Sequence, residues 1–149
     1  MTTKVADRVV LDTNVLLSAT DTGRPEFDRA RAALDDWPAR GTVLYTSGQI
    51  LREYLSVATR PVERNGLGLP QPDAIANITA LRDRLHLLAE NDKVADRMLD
   101  LLTTTTCGGK QVHDANIVAT MLTHGVHTLV TLNVGDFARF DHAIDVVPL

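Results

Sequence analysis

Short apolar runs alternate with stretches of helical periodicity along the whole chain, and that alternation leaves few folds open. Val9–Leu11, Thr42–Thr46 (TVLYT), Leu85–Ala89, Thr128–Leu132 (TLVTL) and Ile144–Val147 read as strands. A short helix can start at Asn14 and run to Ala19, and Pro25 is placed like the first residue of a helix over Glu26–Trp37. Ser47 is placed as the N-cap of a helix reaching Thr59, and Pro72 opens another that runs to Arg84. Val94, Met98, Leu101 and Leu102 fall on one stripe of a helix that Gly108 and Gly109 would end. Gln111–His124, closed by Gly125, is the clearest helix of all. Strands this apolar need cover on both faces, so the predicted fold class is α/β, with helices on either side of a mostly parallel sheet.

The 149 residues show no internal repeat or low-complexity tract, and the whole of 1–149 reads as one domain. The richest breaker stretch, RPVERNGLGLPQP at Arg60–Pro72, is short enough to be a loop inside that domain. No apolar run approaches the ~18 residues of a membrane span, and no signal-peptide pattern opens the chain. The single cysteine, Cys107, excludes an intramolecular disulfide and suits a reducing compartment, so a cytoplasmic location is expected. A net charge of −4 argues against coating nucleic acid by charge alone. Residues 1–64 are neutral, with 9 basic and 9 acidic side chains, and the excess lies after them, 6 basic against 10 acidic. Arg24, Arg29, Arg31, Arg52, Arg60 and Arg64 could line a basic path, but arginines at such positions usually only solvate helices.

The acids carry more information. In a parallel sheet each strand's carboxyl end feeds a helix N-terminus, and ligands bind along that edge. Asp12 ends the first strand, Glu53 lies in the second turn of the helix after strand two, Asp114 opens the helix over Gln111–His124, and Asp136 follows TLVTL. Glu53 shares a helical face with Ile50, Tyr54 and Val57, and Asp114 flanks the row Ala115, Val118, Ala119 and Leu122. Acids seldom take an inward face without compensation, whereas Asp83, Asp96 and Asp100 lie opposite their apolar stripes and read as solvated. Taken singly, Asp12 could be a helix cap, Asp114 a complement to the helix dipole, Glu53 an arginine's partner and Asp136 a turn residue. Four such acids converging on one edge favour a site.

An oxygen-only cluster suits Mg²⁺ or Mn²⁺ rather than zinc, and such an ion activates water and neutralises charge on a phosphodiester. The histidines do not compete for this role: His113 points about 100° away from Asp114 around the helix, His124 and His127 flank Gly125, and His86 and His142 are isolated. Cys107 has no suitably placed base and reads as buried, and no phosphate-binding glycine loop or nucleophile elbow is present. Mutual repulsion among four acids predicts that neither Asp12→Asn nor Asp114→Asn melts below the native chain.

LDTN at 11–14, the inward Glu53, KQVHDANIVAT at 110–120 and VTLNVGDF at 130–137 resemble, in order and spacing, the acidic motifs of PIN-domain ribonucleases. The resemblance is nearest to the toxins of VapBC-type toxin–antitoxin pairs and spans essentially the whole chain. It implies a PIN-like α/β/α sandwich and a Mg²⁺- or Mn²⁺-dependent endoribonuclease. Asp12, Glu53, Asp114 and Asp136 would form the catalytic and metal-binding quartet, with Asp12 and Asp114 as the most direct ligands. Thr13 would orient Asp12 or a bound water, and Asn133 would add a polar group. Glu63, in the breaker loop, is the fallback for Glu53. The implied reaction is in-line attack of activated water on RNA phosphorus, leaving 5′-phosphate and 3′-hydroxyl ends. The implied partners are an RNA substrate, a second copy in a homodimer, and an antitoxin whose C-terminal segment occupies the acidic groove. An RNA-maturation nuclease without an antitoxin and a non-cleaving binding module are the alternatives. A phosphoaspartate receiver built on Asp12 lacks a second adjacent acid and a placed lysine.

Overall fold

The computed structural model describes residues 6–149. Five strands form one sheet: β1 (Arg8–Leu11), β2 (Val43–Ser47), β3 (His86–Leu88), β4 (Thr128–Thr131) and β5 (Asp145–Pro148). Their order is β3-β2-β1-β4-β5, and every neighbouring pair is parallel. Val9, Val10 and Leu11 are 0–1% exposed, which is why β1 tolerates no polar side chain between Arg8 and Asp12. It is the central strand, pairing Val10 with Tyr45 on one side and Leu129 on the other.

The helices are α1 (Thr13–Ala19), α2 (Phe27–Asp35), α3 (Gly48–Thr59), α4 (Gln71–Arg82), α5 (Asp92–Thr104), α6 (Gln111–Thr123) and the single turn α7 (Val134–Phe137). From β1 the chain steps outward through β2 to β3, then returns across β1 to β4 and β5. Right-handed crossovers therefore put α1–α4 on one face and α5–α7 on the other. Helix packing follows that division: α1 meets α2 and α3, α3 meets α4, and α6 meets α5 and α7. The two-faced parallel sandwich expected from the alternation is what forms, and none of the described helices is long and apolar enough to cross a membrane.

Element starts were well marked and ends less so. Ser47 caps α3, its hydroxyl accepting from the Ile50 N–H at 3.4 Å, and Asn91 caps α5 through Val94. α5 stops at Thr104, short of the expected Gly108–Gly109 terminus. The cause is the run Thr103–Thr106: the Thr103 and Thr104 hydroxyls donate back to the Asp100 and Leu101 carbonyls, and Thr105 turns extended. Likewise α2 ends at Asp35 rather than Trp37: Trp37 keeps helical backbone, but Pro38 has no N–H to continue the ladder and instead opens a 3₁₀ turn over Pro38–Arg40. Asp83, Asp96 and Asp100 are exposed, as their helical phase implied, whereas Cys107 is half-buried against the core rather than fully buried.

The breaker stretch does fold back within the domain. Leu67 and Leu69 donate to the Val57 and Ala58 carbonyls, clipping the loop to the end of α3. The chain passes so close to itself at Gly66 that a Cβ there would stand 1.9 Å from the Arg60 carbonyl oxygen. Gly66→Ala is therefore expected to cost about 1–3 kcal/mol, read as a lower melting temperature. Gly108→Ala, whose Cβ would meet nothing within 4 Å, is the control that should melt like the native chain. Equal melting of both variants and the native chain would refute the close approach.

Candidate active site

Because β1 lies between β2 and β4, the sheet has a switch point between β1 and β4, and a crevice opens at their carboxyl ends. Asp12 is the first residue past β1. Its backbone N–H still donates to Val130 of β4 at 2.9 Å, so its side chain is delivered directly into that crevice. The carboxylate is 7% exposed and well supplied with donors. Oδ1 accepts from the Thr13 N–H at 2.8 Å, and Oδ2 accepts from the Thr131 hydroxyl at 2.7 Å and from Asn14 Nδ2 at 3.4 Å. Asn14 completes the bracket: its amide also donates to Thr131 at 3.2 Å, and its oxygen accepts from the Leu132 N–H at 3.1 Å.

The N-cap of α1 is thus Asp12 itself. The capping role weighed for Asp12 in the sequence is present, and it leaves the carboxylate at the sheet edge with the other acids. Thr13 contributes differently from expectation. It reaches Asp12 through its backbone N–H, while its hydroxyl donates to Glu53 Oε2 at 2.8 Å. That bond brings Glu53 of α3 to the β1 edge, and Gln49, one turn earlier, donates to Glu53 Oε1 at 2.8 Å. Glu63 lies in a separate 3₁₀ turn and is exposed, so the structure joins Glu53, not the fallback, to Asp12.

Asp114 sits half-buried in the first turn of α6, and Asp136 is exposed in the first turn of α7. Each thus sits at the positive end of its own helix, yet the acids still work against one another. Burial first, then the charges of Asp12, Asp136 and Glu53, push the Asp114 carboxyl up from 3.8 to about 6, with Arg139 pulling the other way. Burial is also the largest influence raising Asp12, reinforced by Glu53 and Asp136 and opposed by the bonds from Thr131 and Thr13. Asp12 and Asp114 thus both feel the charges of Glu53 and Asp136 along a single edge of the sheet. Asn133 does not join them through its side chain as a cap; its backbone N–H donates to Thr131 at 3.0 Å. His113 is exposed, turned away as its helical phase required.

The donors are hard oxygens only, the set that suits a divalent cation of the Mg²⁺ or Mn²⁺ type, and unneutralised repulsion is what such an ion would relieve. Among the described residues no group of three His, Cys, Asp or Glu side chains stands close enough to hold an ion as placed, so coordination calls for side-chain rotation. Asp114 and Asp136, on the half-buried and exposed first turns of their helices, have room for it.

The sequence did not disclose Gln49, Asn14, Thr131 or Asn116 as members of this edge. Gln49 and Thr131 are nearly or fully buried polar residues flanked by apolar ones, the one signal that could have marked them. A fifth edge acid, Glu90 after β3, was also overlooked. It accepts from the Gln49 N–H at 2.7 Å and pairs with Arg52, capping α3 from outside. Four of the six arginines weighed as a basic path are engaged locally: Arg24, Arg31 and Arg52 pair with Asp21, Asp35 and Glu90, and Arg29 donates to the Leu149 carbonyl.

The PIN-domain family pattern matches residues 9–143. The chain belongs to the PIN-domain family. Within it, this PIN domain is 32% identical over 136 residues to Ribonuclease VapC24 of Mycobacterium tuberculosis (strain CDC 1551 / Oshkosh), covering 87% of this chain and 89% of that protein. Its fold is similar to that in the complex of VapBC2 from Rickettsia felis bound to a promoter DNA fragment. There the TM-score is 0.67 at 15% identity, covering 95% of this chain and 98% of the other. A toxin–antitoxin complex from Klebsiella pneumoniae is also similar, with TM-score 0.60 at 25% identity and coverage of 87% and 90%. The PIN-like sandwich expected from the motifs is thus the fold of this chain.

Proposed function

We propose that this PIN domain is a metal-dependent endoribonuclease and the toxin of a toxin–antitoxin pair. The observation that carries the proposal is the acidic edge itself: Asp12, bracketed by Thr13, Asn14 and Thr131, is joined through Thr13 to Glu53, with Asp114 and Asp136 in the first turns of α6 and α7, and the raised Asp114 carboxyl agrees with their crowding. Four carboxylates concentrated against one another make a structural liability unless a cation is their customary neighbour. The 32% identity to a protein named as a ribonuclease supports RNA as the substrate.

Asp12 and Asp114 would be the most direct ligands of Mg²⁺ or Mn²⁺, with Asp136 and Glu53 completing the acidic set. The ion, when bound, supplies charge neutralisation at the phosphodiester and lowers the pKa of water. The chain's own residues do the positioning. Thr131, Asn14 and the Thr13 N–H fix both oxygens of Asp12, so little reorganisation remains when substrate arrives. The Thr13 hydroxyl aligns Glu53. Asn133 at the start of α7 would offer a polar contact to the RNA backbone. Water as nucleophile leaves 5′-phosphate and 3′-hydroxyl ends. An antitoxin partner is supported by the toxin–antitoxin complex that shares the fold, and a homodimer in the cytoplasm is what the family resemblance implies. The antitoxin's C-terminal segment would enter the acidic groove with an arginine, as carboxylates there can take a guanidinium in place of a metal.

The purified chain is expected to cut structured RNA with Mn²⁺ or Mg²⁺ and to stop in EDTA, its fragments accepting ligation at the 5′ end without prior phosphorylation. Undiminished cleavage in EDTA would refute the metal, and 2′,3′-cyclic phosphate ends would refute water as nucleophile. Expression alone should arrest growth, with relief by a small gene encoded beside it. Healthy growth at high soluble levels would favour an RNA-maturation nuclease or a non-cleaving module instead.

A further inference from the structure

Gln49 occupies an unusual position for an amide. It is 5% exposed, on the second residue of α3, and every polar atom of its side chain is engaged. Nε2 donates to Glu53 Oε1 at 2.8 Å and to the His113 carbonyl at 2.9 Å, and Oε1 accepts from Asn116 Nδ2 at 2.7 Å. A carboxylate and a carbonyl can only accept, so the amide has one workable orientation, and Asn116 locks it by donating to the opposite end. The backbone is held as well, since the Gln49 N–H donates to Glu90 at 2.7 Å. His113 and Asn116 belong to α6 and bracket Asp114, the residue after His113. A single side chain therefore ties Glu53 of α3 to the turn of α6 that bears Asp114.

We propose that Gln49 is a positioning residue that holds the Glu53 carboxylate against the first turn of α6 and so sets the spacing of the acids on α3 and α6. The role rests on reading those acids as a cation-binding site. It follows from the geometry of the four contacts: Glu53 is a flexible side chain with three rotatable bonds, and Thr13 alone restrains only one of its oxygens. Gln49 restrains the other, and its second N–H prevents the whole pair from drifting away from α6. Neighbouring groups that orient a ligand commonly change metal affinity by about 10–100-fold when removed.

The probe is Mn²⁺ alone, with free ion counted by electron paramagnetic resonance on the whole chain. Gln49→Met keeps the volume and removes the bonds. It is expected to weaken Mn²⁺ binding about 10-fold, and in a Glu53→Ala background the same change should cost no more than about twofold, because the partner it acts on is gone. Equal losses in the two backgrounds, or native affinity in a folded Gln49→Met protein, would overturn the proposal. Should circular dichroism show Gln49→Met unfolded, Asn116→Ala takes its place. That variant touches no acid and only frees the Gln49 amide, so it should give a smaller loss that vanishes with Glu53→Ala, and native affinity would again overturn the role. A native chain that binds no Mn²⁺ overturns it too. Native Mn²⁺ binding without RNA cleavage would sink the nuclease reading and leave the Gln49 result standing.

Discussion

Asp12→Asn and Asp114→Asn are each expected to reduce RNA cleavage by about 10²–10⁴-fold, the range in which a group that manages charge or protons at the reacting centre acts. Both substitutions keep side-chain shape and remove one anionic oxygen. Measured as initial rates on a fluorescent RNA with Mn²⁺, the loss should persist at saturating substrate, since neither acid is expected to contribute to binding RNA's negative backbone. Asp96→Asn and Glu63→Gln alter exposed acids away from the edge and should cut like the native chain. Half or more of native activity in either Asn variant at Asp12 or Asp114 would remove the active-site assignment.

The two variants should part company in stability, and here the structure changes an expectation formed on charge alone. In metal-free protein the folded Asp114 carboxyl titrates at about 6, against an ordinary value of 3.8. A raised folded value means the folded state binds the proton more tightly, so stability is full below pH 4, falls between pH 4 and 6, and stays reduced above. Full burial would make that loss ~3 kcal/mol; Asp114 is only half-buried, and solvent screening reduces it to about 1 kcal/mol. Asp114→Asn removes the ionisation, so above pH 6 it should melt roughly 2–4 °C higher than the native chain, and at pH 3.5 no higher. Asp12→Asn should instead melt lower at neutral pH. An Asn there keeps one oxygen for the Thr13 N–H and presents an NH₂ where Thr131 donated. Thr131 already accepts from Asn14 and from the Asn133 N–H, leaving no lone pair for the newcomer. Burying those unmatched donors costs about 1–3 kcal/mol, more than the relief of repulsion. Added Mn²⁺ should raise the native melting temperature by mass action and raise both variants much less. Parallel shifts of the two variants at all pH values would contradict the hydrogen-bond bracket around Asp12.

Much of the fold was legible because the inner strands β1, from Val9 on, and β4 are buried on both faces and α1, α3 and α5 start on side-chain caps. Ser47 and the proline at position 72 marked α3 and α4 to within a residue. Ends were harder: glycines at 108 and 109 looked like a terminus, yet the threonines before them compete for the last carbonyls and stop α5 sooner. Strand order left no trace in the chain. It is decided by which faces the helices can cover, a property of the assembled layers, and so the switch point between β1 and β4 could not be read off beforehand.

The acids were legible for a related reason. Glu53 and Asp114 break apolar faces, and a charge in such a place needs an explanation. Amides and hydroxyls raise no comparable alarm. Gln49 and Asn116 resemble ordinary solvated helix residues, and Thr131 resembles a favourable strand residue, until the distances show them bound to carboxylates or to each other. Glu90 shows the converse. It is an acid at the same edge, yet its work is to cap α3 beside Arg52.

Thr131 and Asp12 meet across 119 residues of chain. While the protein is being synthesised, the first acid is already out when strand β4 has not been made. Until that strand slots in beside β1, Asp12 lacks its hydroxyl donor, and neither Asp136 nor the α7 turn exists. The acidic edge is therefore incomplete in every nascent or C-terminally shortened form that ends before Thr131. The order of the strands thus makes this acidic edge one of the last parts of the fold to assemble, when nearly the whole chain has been made.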